Sequence, residues 1–386
     1  MNSAGAAIIV RRNVLPNPKR PAFLISQKLH SSAPSSARRR SVQTASTQAG
    51  RQGPATASQV LNHRENCWAS EATKQRIRRA AEILGYRPNL AARALRSGRT
   101  HVIGFVATGF SVGFSHSRAD GLTTAAEKSD YTVTLSSHPG DSESEDFLIL
   151  RLLDRDVDGL AVYPVDRGPH HELHNLAATG FPVVTFDGAA RLDFECDDVS
   201  ADYAEVGRLQ ARHLLRIGRR RICLANTIPE ARVNVLRESS VRQELARAGA
   251  PPPLEMRVHY FLGDELMEAE RLVPQIRAFL RKHRGNFDAV VGFDSMASLV
   301  IRVLQELGLR VPEDVAVAGA GDSMLATYGV VPLTSVSTHD DVAGARAFDL
   351  LMDRILGRRR TTRFRRLTST SKLNVRTSTR VPDKKG

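Results

Sequence analysis

Three histidines form the cluster whose spacing could bind a metal ion. His170, His171 and His174 follow an H-H-x-x-H pattern, and imidazole nitrogens are common zinc ligands. The cluster has no acid at the spacing that metalloproteases use, and the prolines and glycines around it predict a loop. We therefore expect no metal at these histidines and no other cofactor.

Neither the cysteines nor any phosphate-binding motif in the sequence indicates catalysis. Cys67, Cys196 and Cys223 are odd in number, far apart and without C-x-x-C spacing, so they predict neither a disulfide framework nor a zinc site. No G-x-x-x-x-G-K-[ST] loop occurs in the sequence. These patterns predict that the protein is not an enzyme and that it resides in a reducing cytoplasm.

Basic residues are concentrated at the two ends of the chain, where they could bind phosphate. Residues 1–100 contain 18 Lys and Arg against three acids, and residues 357–386 contain 11 against one. The whole chain carries a formal charge of +14, so the residues between these ends are acidic. A basic head on an acidic body suits a protein that binds DNA with one end only.

The basic head divides into a tail and two helical segments. Residues 1–50 contain no acid and are rich in Ser, Ala, Arg and Pro, which predicts a disordered extension; the same composition is found in organellar transit peptides. Ala55 to Asn62 is compatible with a short helix. Ser70 to Tyr86 predicts a longer helix, because Ile77, Ala80, Ala81 and Leu84 share one face and Ser70 is a suitable N-cap.

Apolar runs and amphipathic segments alternate along the body. The runs that predict strands begin at His101 and recur up to Gly319, and helices of ten or more residues separate most of them. Buried strands separated by helices predict an α/β fold with parallel sheets that are covered on both faces. This pattern is shared by many enzymes and binding proteins, so it leaves the function open.

One long segment carries a specific resemblance. SEATKQRIRRAAEILGYRPNLAARALRSGRTHVIGFV, from Ser70 to Val106, resembles the third headpiece helix, hinge helix and first core strand of the lactose-repressor (LacI/GalR) family. Shorter matches occur at RDVDGLAV, HLLRIGRRRICLA, ELGLRVPEDVAVAG, PLTSV and VRTSTR. The resemblance implies a homodimeric transcriptional repressor that binds operator DNA and a small-molecule effector, a sugar or related metabolite.

The resemblance also implies a domain organisation. Residues 1–50 would be the basic extension, residues 51–99 the all-α helix-turn-helix headpiece and hinge helix, and residues 100–386 the effector-binding and dimerisation core with a basic tail. The core would be bilobed and similar to periplasmic binding proteins, with two doubly wound parallel sheets. The first headpiece helix would be degenerate, because residues 41–52 read SVQTASTQAGRQ and offer too few apolar side chains to pack.

DNA-binding positions follow from the same resemblance. PATASQVLN matches the recognition helix, and Leu95 matches the hinge leucine that wedges into a minor-groove step. Gln59 stands where the family more often has arginine. Because glutamine pairs with adenine whereas arginine pairs with guanine, the preferred operator sequence is expected to differ at this position. The residues expected to contact bases or phosphates are Pro54, Ala55, Thr56, Ser58, Gln59, Asn62, Asn89, Ala92 and Leu95.

Effector-binding positions are implied at four residues of the core. Arg237 matches the arginine that holds ligand hydroxyls or carboxylates between the lobes, and Phe114 and Ser115 fall where the first lobe lines the cleft. Phe293 replaces an asparagine and Gly321 replaces an aspartate by which relatives hold sugars. We therefore expect either an effector with fewer hydroxyl groups than a sugar or no effector at all.

Two alternative functions remain open from the sequence. A periplasmic-type sugar-binding protein shares the bilobed fold, but no signal peptide is apparent and the hinge segment from Asn89 to Arg99 would have no use there. A family member with impaired DNA binding would explain the degenerate first helix. The sequence has no apolar run long enough for a membrane helix, so we expect a cytoplasmic, nucleoid-associated protein without membrane contact.

Overall fold

The structure, a computed structural model, describes residues 54–61, 67–84, 94, 97–110, 113–166, 168–226, 231–258, 265–358 and 363–380. Two compact units contain them, one ending at Asn89 and the other beginning at Leu90. The expected basic extension over residues 1–50 and the expected degenerate helix at residues 41–52 lie outside the described residues.

The first unit, called the headpiece from here on, contains two helices where the sequence predicts them. They are α1 (Pro54–Leu61) and α2 (Glu71–Ile83). Ala57, Val60 and Ile77 form a small apolar core between them. The predicted N-cap is confirmed, because the Ser70 hydroxyl accepts a hydrogen bond from the Thr73 backbone N–H at 3.4 Å.

The second unit alternates strands and helices. Its strands are β1 (Val102–Ala107), β2 (Thr132–Ser137), β3 (Gly159–Val162), β4 (Val183–Phe186), β5 (Asp197–Ala201), β6 (Ile222–Asn226), β7 (Leu254–Arg257), β8 (Ala289–Val291), β9 (Ala316–Ala320), β10 (Thr334–Ser337), β11 (Arg366–Ser369) and β12 (Lys372–Asn374). Its helices are α3 (Phe114–Glu127), α4 (Ser142–Leu153), α5 (His171–Thr179), α6 (Tyr203–Arg216), α7 (Arg232–Arg247), α8 (Glu265–Lys282), α9 (Asp294–Glu306), α10 (Met324–Tyr328) and α11 (Asp340–Ile355).

Lobe 1 is built on a six-stranded parallel sheet with the order β11-β5-β4-β3-β1-β2. Side chains alternate between its two faces along β1: Ile103 and Phe105 pack in the cluster that includes α3 and α11, and Val106 packs in the cluster that includes α4 and α5. This arrangement confirms the predicted doubly wound sheet, because helices cover both faces.

Lobe 2 repeats the design with the strand order β12-β10-β9-β8-β6-β7, in which only β12 is antiparallel to its neighbour. On one face, Cys223 and Val290 pack with α8 and α9. On the other face, Leu224 and Val291 pack with α6 and α7. Two doubly wound sheets in one chain give the bilobed core that the resemblance implies.

The chain passes between the two lobes at three points. It crosses from β5 to α6, from β10 to α11, and from β11 to β12. Close helix packing fixes the second crossing, because a Cβ atom on Gly344 of α11 would come closer than 3.0 Å to the backbone of Arg118 and Leu122 in α3. Only glycine permits this approach of the two helices.

Two helices differ from their predicted extents. His171 and His174 lie in α5 rather than in a loop, because the surrounding prolines and glycines bound the helix instead of interrupting it. Gly180 ends α5 with a φ of +76°. The sequence pattern also predicts a helix near Glu238 to Ala248, whereas α7 begins earlier, at Arg232, so Arg237 lies within the helix.

Candidate DNA-binding and effector-binding sites

The predicted recognition helix is present as α1, but the expected contacts on it remain predictions. Thr56 is buried in the headpiece, so little of its side chain is available to a phosphate. Gln59 is half-buried, and its Oε1 has no hydrogen-bond partner among the described residues. The backbones of Pro54, Ala55 and Ser58 belong to α1, whereas their side chains lie outside the described part of the chain. Also outside it are Asn62, Asn89, Ala92 and Leu95.

The carboxyl edges of both sheets carry large polar and aromatic residues. In lobe 1, Tyr163 follows β3 and Asp187 follows β4. In lobe 2, Asn226 ends β6 and Phe293 follows β8 by two residues. Ligands of doubly wound proteins bind at this edge of a parallel sheet, so these residues mark the candidate effector site.

Arg237 lies in α7 and is fully buried. Its Nη1 donates to Gln210 Oε1 at 3.3 Å, and its Nη2 donates to Asn226 Oδ1 and to Asn234 Oδ1. The acceptors are neutral amides, and no carboxylate hydrogen-bonds this guanidinium within the described part of the chain. Its Nε also has no hydrogen-bond partner among the described residues.

The amides around Arg237 are held in place by their own hydrogen bonds. Gln210 Nε2 donates to the Gly319 carbonyl at 2.8 Å and to the Gly292 carbonyl at 3.2 Å, which turns its Oε1 toward Arg237. Asn226 Nδ2 donates to Glu238, which leaves the Asn226 Oδ1 to accept from Arg237. Burial lowers the pKa of Arg237 to about 10, so the guanidinium remains protonated at neutral pH.

Phe293 joins Arg237 to the first crossing between the lobes. The Arg237 guanidinium lies 4.9 Å from the centre of the Phe293 ring, a cation–π contact. The same ring makes an edge contact with Tyr203 at 6.2 Å. The Tyr203 hydroxyl in turn donates to Asp187 Oδ2 of lobe 1 at 2.9 Å. Phe293 therefore puts an aromatic contact between the buried Arg237 and the first crossing, at a position where the resemblance implies an asparagine.

A second buried arginine, Arg118 of α3, hydrogen-bonds to residues beside the first and second crossings between the lobes. Its Nη1 donates to Asp187 and its Nε donates to Asp340, each at 2.9 Å. Asp187 also accepts from the Ala201 backbone at the first crossing, and Asp340 accepts from Thr338 at the second. Burial alone would lower the pKa of Arg118, but the two carboxylates outweigh it and raise that pKa.

A carboxylate of lobe 1 reaches the helix of lobe 2 that contains Arg237. Asp166, after β3, accepts from Arg191 Nε at 2.9 Å and from the backbone N–H of Arg232 at 3.2 Å. Arg232 is the first residue of α7, where an anion is favoured by the free N–H groups of the helix. This contact connects the two lobes directly.

The sequence prediction identified only part of this group of residues. Arg237 and Phe293 lie together, and Ser115 is buried in the first turn of α3, while their part in effector binding stays a prediction. The backbone of Phe114 begins α3, and its side chain lies outside the described residues. The prediction missed Arg118, Tyr163, Asp187 and Tyr203. Their positions just after buried strands, or on the helix after one, were the signal that could have found them.

Two acids of lobe 2 serve the fold. Asp294 accepts from Ser335 Oγ at 2.6 Å and from the backbone and hydroxyl of Ser323, and burial raises its pKa to about 6. Asp322 lies in a turn with a φ of +51° and forms an ion pair with Arg376 at 2.7 Å. Both acids therefore hold loops of lobe 2 together.

No metal-binding group of three or more His, Cys, Asp and Glu side chains occurs in the described part of the chain. In particular, His170 of the H-H-x-x-H cluster is buried and shares a hydrogen bond with Glu145 at 2.8 Å. None of the helices described is long and apolar enough to span a membrane.

Comparison with known proteins decides the family. Residues 211–379 match the model of a periplasmic binding protein-like domain. The HTH-type transcriptional repressor PurR of Aliivibrio fischeri is 30% identical over 306 residues, which cover 78% of this chain and 87% of that protein. The chain belongs to the lactose-repressor (LacI/GalR) family of transcriptional regulators.

Other members support this assignment. The ribose operon repressor of Escherichia coli is 28% identical to this LacI/GalR regulator over 302 residues, which are 78% of this chain and 88% of that one. A solved complex of the transcriptional regulator CelR with cellobiose is 28% identical with a TM-score of 0.62, covering 87% of this chain and 99% of that one. The operator-bound lac repressor dimer shares the fold, with 21% identity and a TM-score of 0.69 over 87% of this chain and 97% of that one.

These relatives are transcriptional regulators and not enzymes.

Residues 109–113 of this family member read G-F-S-V-G, which matches the G-x-S-x-G pattern of hydrolase nucleophiles. Such a serine belongs directly on a tight strand-to-helix turn, whereas β1 ends at Ala107 and α3 begins at Phe114. Ser111 itself lies outside the described residues.

Proposed function

We propose that this LacI/GalR regulator is a cytoplasmic, homodimeric repressor whose affinity for operator DNA is changed by an effector that pairs with Arg237. The single observation that supports the effector is the buried Arg237 guanidinium, which is protonated and whose hydrogen-bond acceptors among the described residues are neutral amides. A buried cation that hydrogen-bonds no carboxylate of the described residues is unfavourable for folding, so its presence points to a ligand that pairs with it.

The electrostatics favour an anionic effector over a neutral sugar. Among the buried arginines of the described residues, Arg118 is paired with two carboxylates, Arg191 with Asp166 and Arg354 with Asp197. A ligand anion would therefore add most to the stability of Arg237. Its nearest acid in sequence, Glu238, is already bound by Arg242 at 3.0 Å. A carboxylate or phosphate accepts charge-assisted hydrogen bonds from arginine more strongly than a hydroxyl does.

Effector binding can act on DNA only by favouring one arrangement of the lobes. Arg237 lies in α7, whose first residue Arg232 contacts Asp166 of lobe 1, and its Phe293 neighbour contacts Tyr203 at the first crossing. A ligand that moves the guanidinium therefore disturbs both connections. This gives the effector a route to the arrangement of the lobes.

Arg237→Met is expected to remove the effector response while leaving the unliganded protein about as stable as the wild type. Methionine fills much of the same volume, and the loss of a poorly compensated buried charge offsets the loss of its hydrogen bonds. The measurement is thermal unfolding with a panel of sugars, sugar acids and phosphosugars. A ligand at a hundred times its Kd stabilises the wild type by about 2.7 kcal/mol.

Two controls make this test specific. Arg237→Lys keeps the charge but loses the bidentate geometry, so it should retain a weakened response to acids and phosphates. Phe293→Asn removes the ring and adds an amide, so it should improve the response to neutral sugars. An unchanged response in Arg237→Met removes Arg237 from the site, and a wild type that responds to no member of the panel overturns the proposed anionic effector.

An exposed apolar patch in lobe 2 supports the homodimer. Met324, Leu325, Tyr328 and Val330 lie on α10 and the turn after it, and Val330 is 92% exposed. Clusters of exposed apolar side chains usually mark protein interfaces. A second copy of this chain is the partner we propose, since the lac repressor with the same fold was solved as a dimer.

Tyr328→Glu combined with Val330→Glu is expected to weaken dimerisation by at least about tenfold, because two carboxylates would have to be desolvated at the interface. Sedimentation velocity over a range of concentrations measures the effect. The matched control is Gln275→Glu with Gln305→Glu, which adds the same charge at exposed polar positions of lobe 2. If both double variants remain dimeric, the patch is not the dimer interface.

A further inference from the structure

Four arginines gather at one end of lobe 1 and form what we name the arginine patch: Arg99, Arg358, Arg365 and Arg366. Three of them come from the segment R-R-R-T-T-R-F-R-R that follows α11. The side chains of Arg358, Arg365 and Arg366 are 65%, 53% and 56% exposed. The effector site uses none of these residues.

The acids near the patch only partly neutralise it. Asp353 lies 4.0 Å from Arg358 and 3.5 Å from Arg365, and Glu195 lies 3.6 Å from Arg366. Ion pairs of this length between exposed side chains contribute little to stability. The long ion pairs of Arg358, Arg365 and Arg366 therefore leave these three guanidinium groups available to a stronger anion.

The topology of lobe 1 places this surface away from the effector cleft. Strand β11 begins at Arg366 and runs parallel to β5, so its first residue lies at the amino edge of the sheet, opposite the carboxyl edge described above. The carboxyl end of α11 lies at the same edge, because Arg99 Nη2 donates to the Ile355 carbonyl at 3.0 Å and β1 begins three residues after Arg99.

That edge is where the core receives the chain from the headpiece. Only residues 84–98 separate the end of α2 at Ile83 from Arg99, a span of about 50 Å at full extension. DNA held by the headpiece is therefore tethered to the start of the core by at most this length of chain. A short tether of this kind gives a weak second contact a high effective concentration.

We propose that the arginine patch binds phosphates of the duplex beside the site that the headpiece occupies. The contact adds affinity without reading sequence, because guanidinium groups on a surface that meets only the DNA backbone have no access to base edges. It also compensates for a headpiece whose first helix is degenerate in sequence. This inference rests on the proposed function, since it requires the headpiece to bind DNA.

The test replaces Arg358, Arg365 and Arg366 with glutamine in the full-length protein. Binding to a long random-sequence duplex is measured by fluorescence anisotropy across a salt series. The variant should bind about tenfold more weakly near 100 mM salt, and the slope of log K against log salt should become shallower by about 0.9 for each phosphate that the variant no longer neutralises. A duplex trimmed to the length of the headpiece site should show a much smaller difference.

The charge-matched control replaces Arg257, Arg302 and Arg310, three exposed arginines of lobe 2, with glutamine. It should bind both duplexes as the wild type does, and far-ultraviolet circular dichroism should show that both triple variants are folded. If the patch variant matches this control in affinity and slope, the patch does not touch DNA. If the wild type binds neither duplex, the proposed function itself is overturned.

Discussion

Raising the salt concentration from 50 to 200 mM is expected to weaken binding of the dimer to its operator by about a thousandfold or more. A dimer that neutralises roughly six to ten phosphates releases a similar number of counterions, and the slope of log K against log salt is about −0.9 per phosphate. The 18 basic residues against three acids in residues 1–100 supply the cations. Operator sites recovered by genome-wide mapping of the bound protein provide the duplex, and anisotropy measures the affinity.

Two controls separate this effect from changes in the protein. Sedimentation at both salt concentrations should show the same oligomer, and circular dichroism should show the same helix content. A mutated duplex of equal length should show a similar salt slope with a lower affinity, because phosphate contacts do not depend on sequence. Affinity that stays flat with salt would contradict DNA binding by the basic head.

Arg118→Met is expected to destabilise the core by about 3 to 5 kcal/mol, because it leaves the Asp187 and Asp340 carboxylates buried without their shared cation. Urea unfolding at pH 8 measures the change. Arg237→Met removes an equally buried guanidinium, but its hydrogen-bond partners are neutral amides. No carboxylate loses its hydrogen-bonded cation among the described residues, so this variant is expected to change the free energy of unfolding far less. The contrast between these two matched variants tests the assignment of Arg118 to structure and Arg237 to ligand binding.

The destabilisation by Arg118→Met should depend on pH in a defined direction. Burial raises the pKa of Asp340, whereas Arg118 lowers it, so removing Arg118 raises that pKa further in the folded state. A carboxyl group whose pKa is higher in the folded than in the unfolded protein makes folding less favourable as pH rises through that range. The variant should therefore recover part of its stability at pH 5 relative to pH 8.

Arg212→Met serves as the exposed control for this measurement. Its guanidinium pairs with Glu244 at 2.9 Å, but the arginine side chain is 56% exposed. Glu244 keeps its ion pair with Arg247 at 2.6 Å after the substitution, so the unfolding curve should stay nearly unchanged. A similar destabilisation in both variants would show that the buried network around Arg118 has no special role in stability.

Local signals in the sequence were sufficient for most of the elements and for the family. The spacing of Ile77, Ala80 and Ala81 and the N-cap at Ser70 predicted α2, because a helix repeats its buried face at a fixed period. Apolar runs alternating with helices predicted doubly wound sheets, since a strand covered on both faces is apolar throughout. The helix α5 was missed because prolines and glycines can bound a helix as well as interrupt it.

The sequence by itself determined the composition of this protein's parts: a basic head, a strand-and-helix core and a family motif at the hinge. The tertiary structure decided which charges meet. Arg118 and Asp340 are 222 residues apart in the chain, and only the crossing from β10 to α11 brings them within 2.9 Å. The structure also decided that Arg237 is surrounded by amides, because its partners come from separate elements. Long-range pairing of this kind depends on how whole helices pack, which no local period or spacing records.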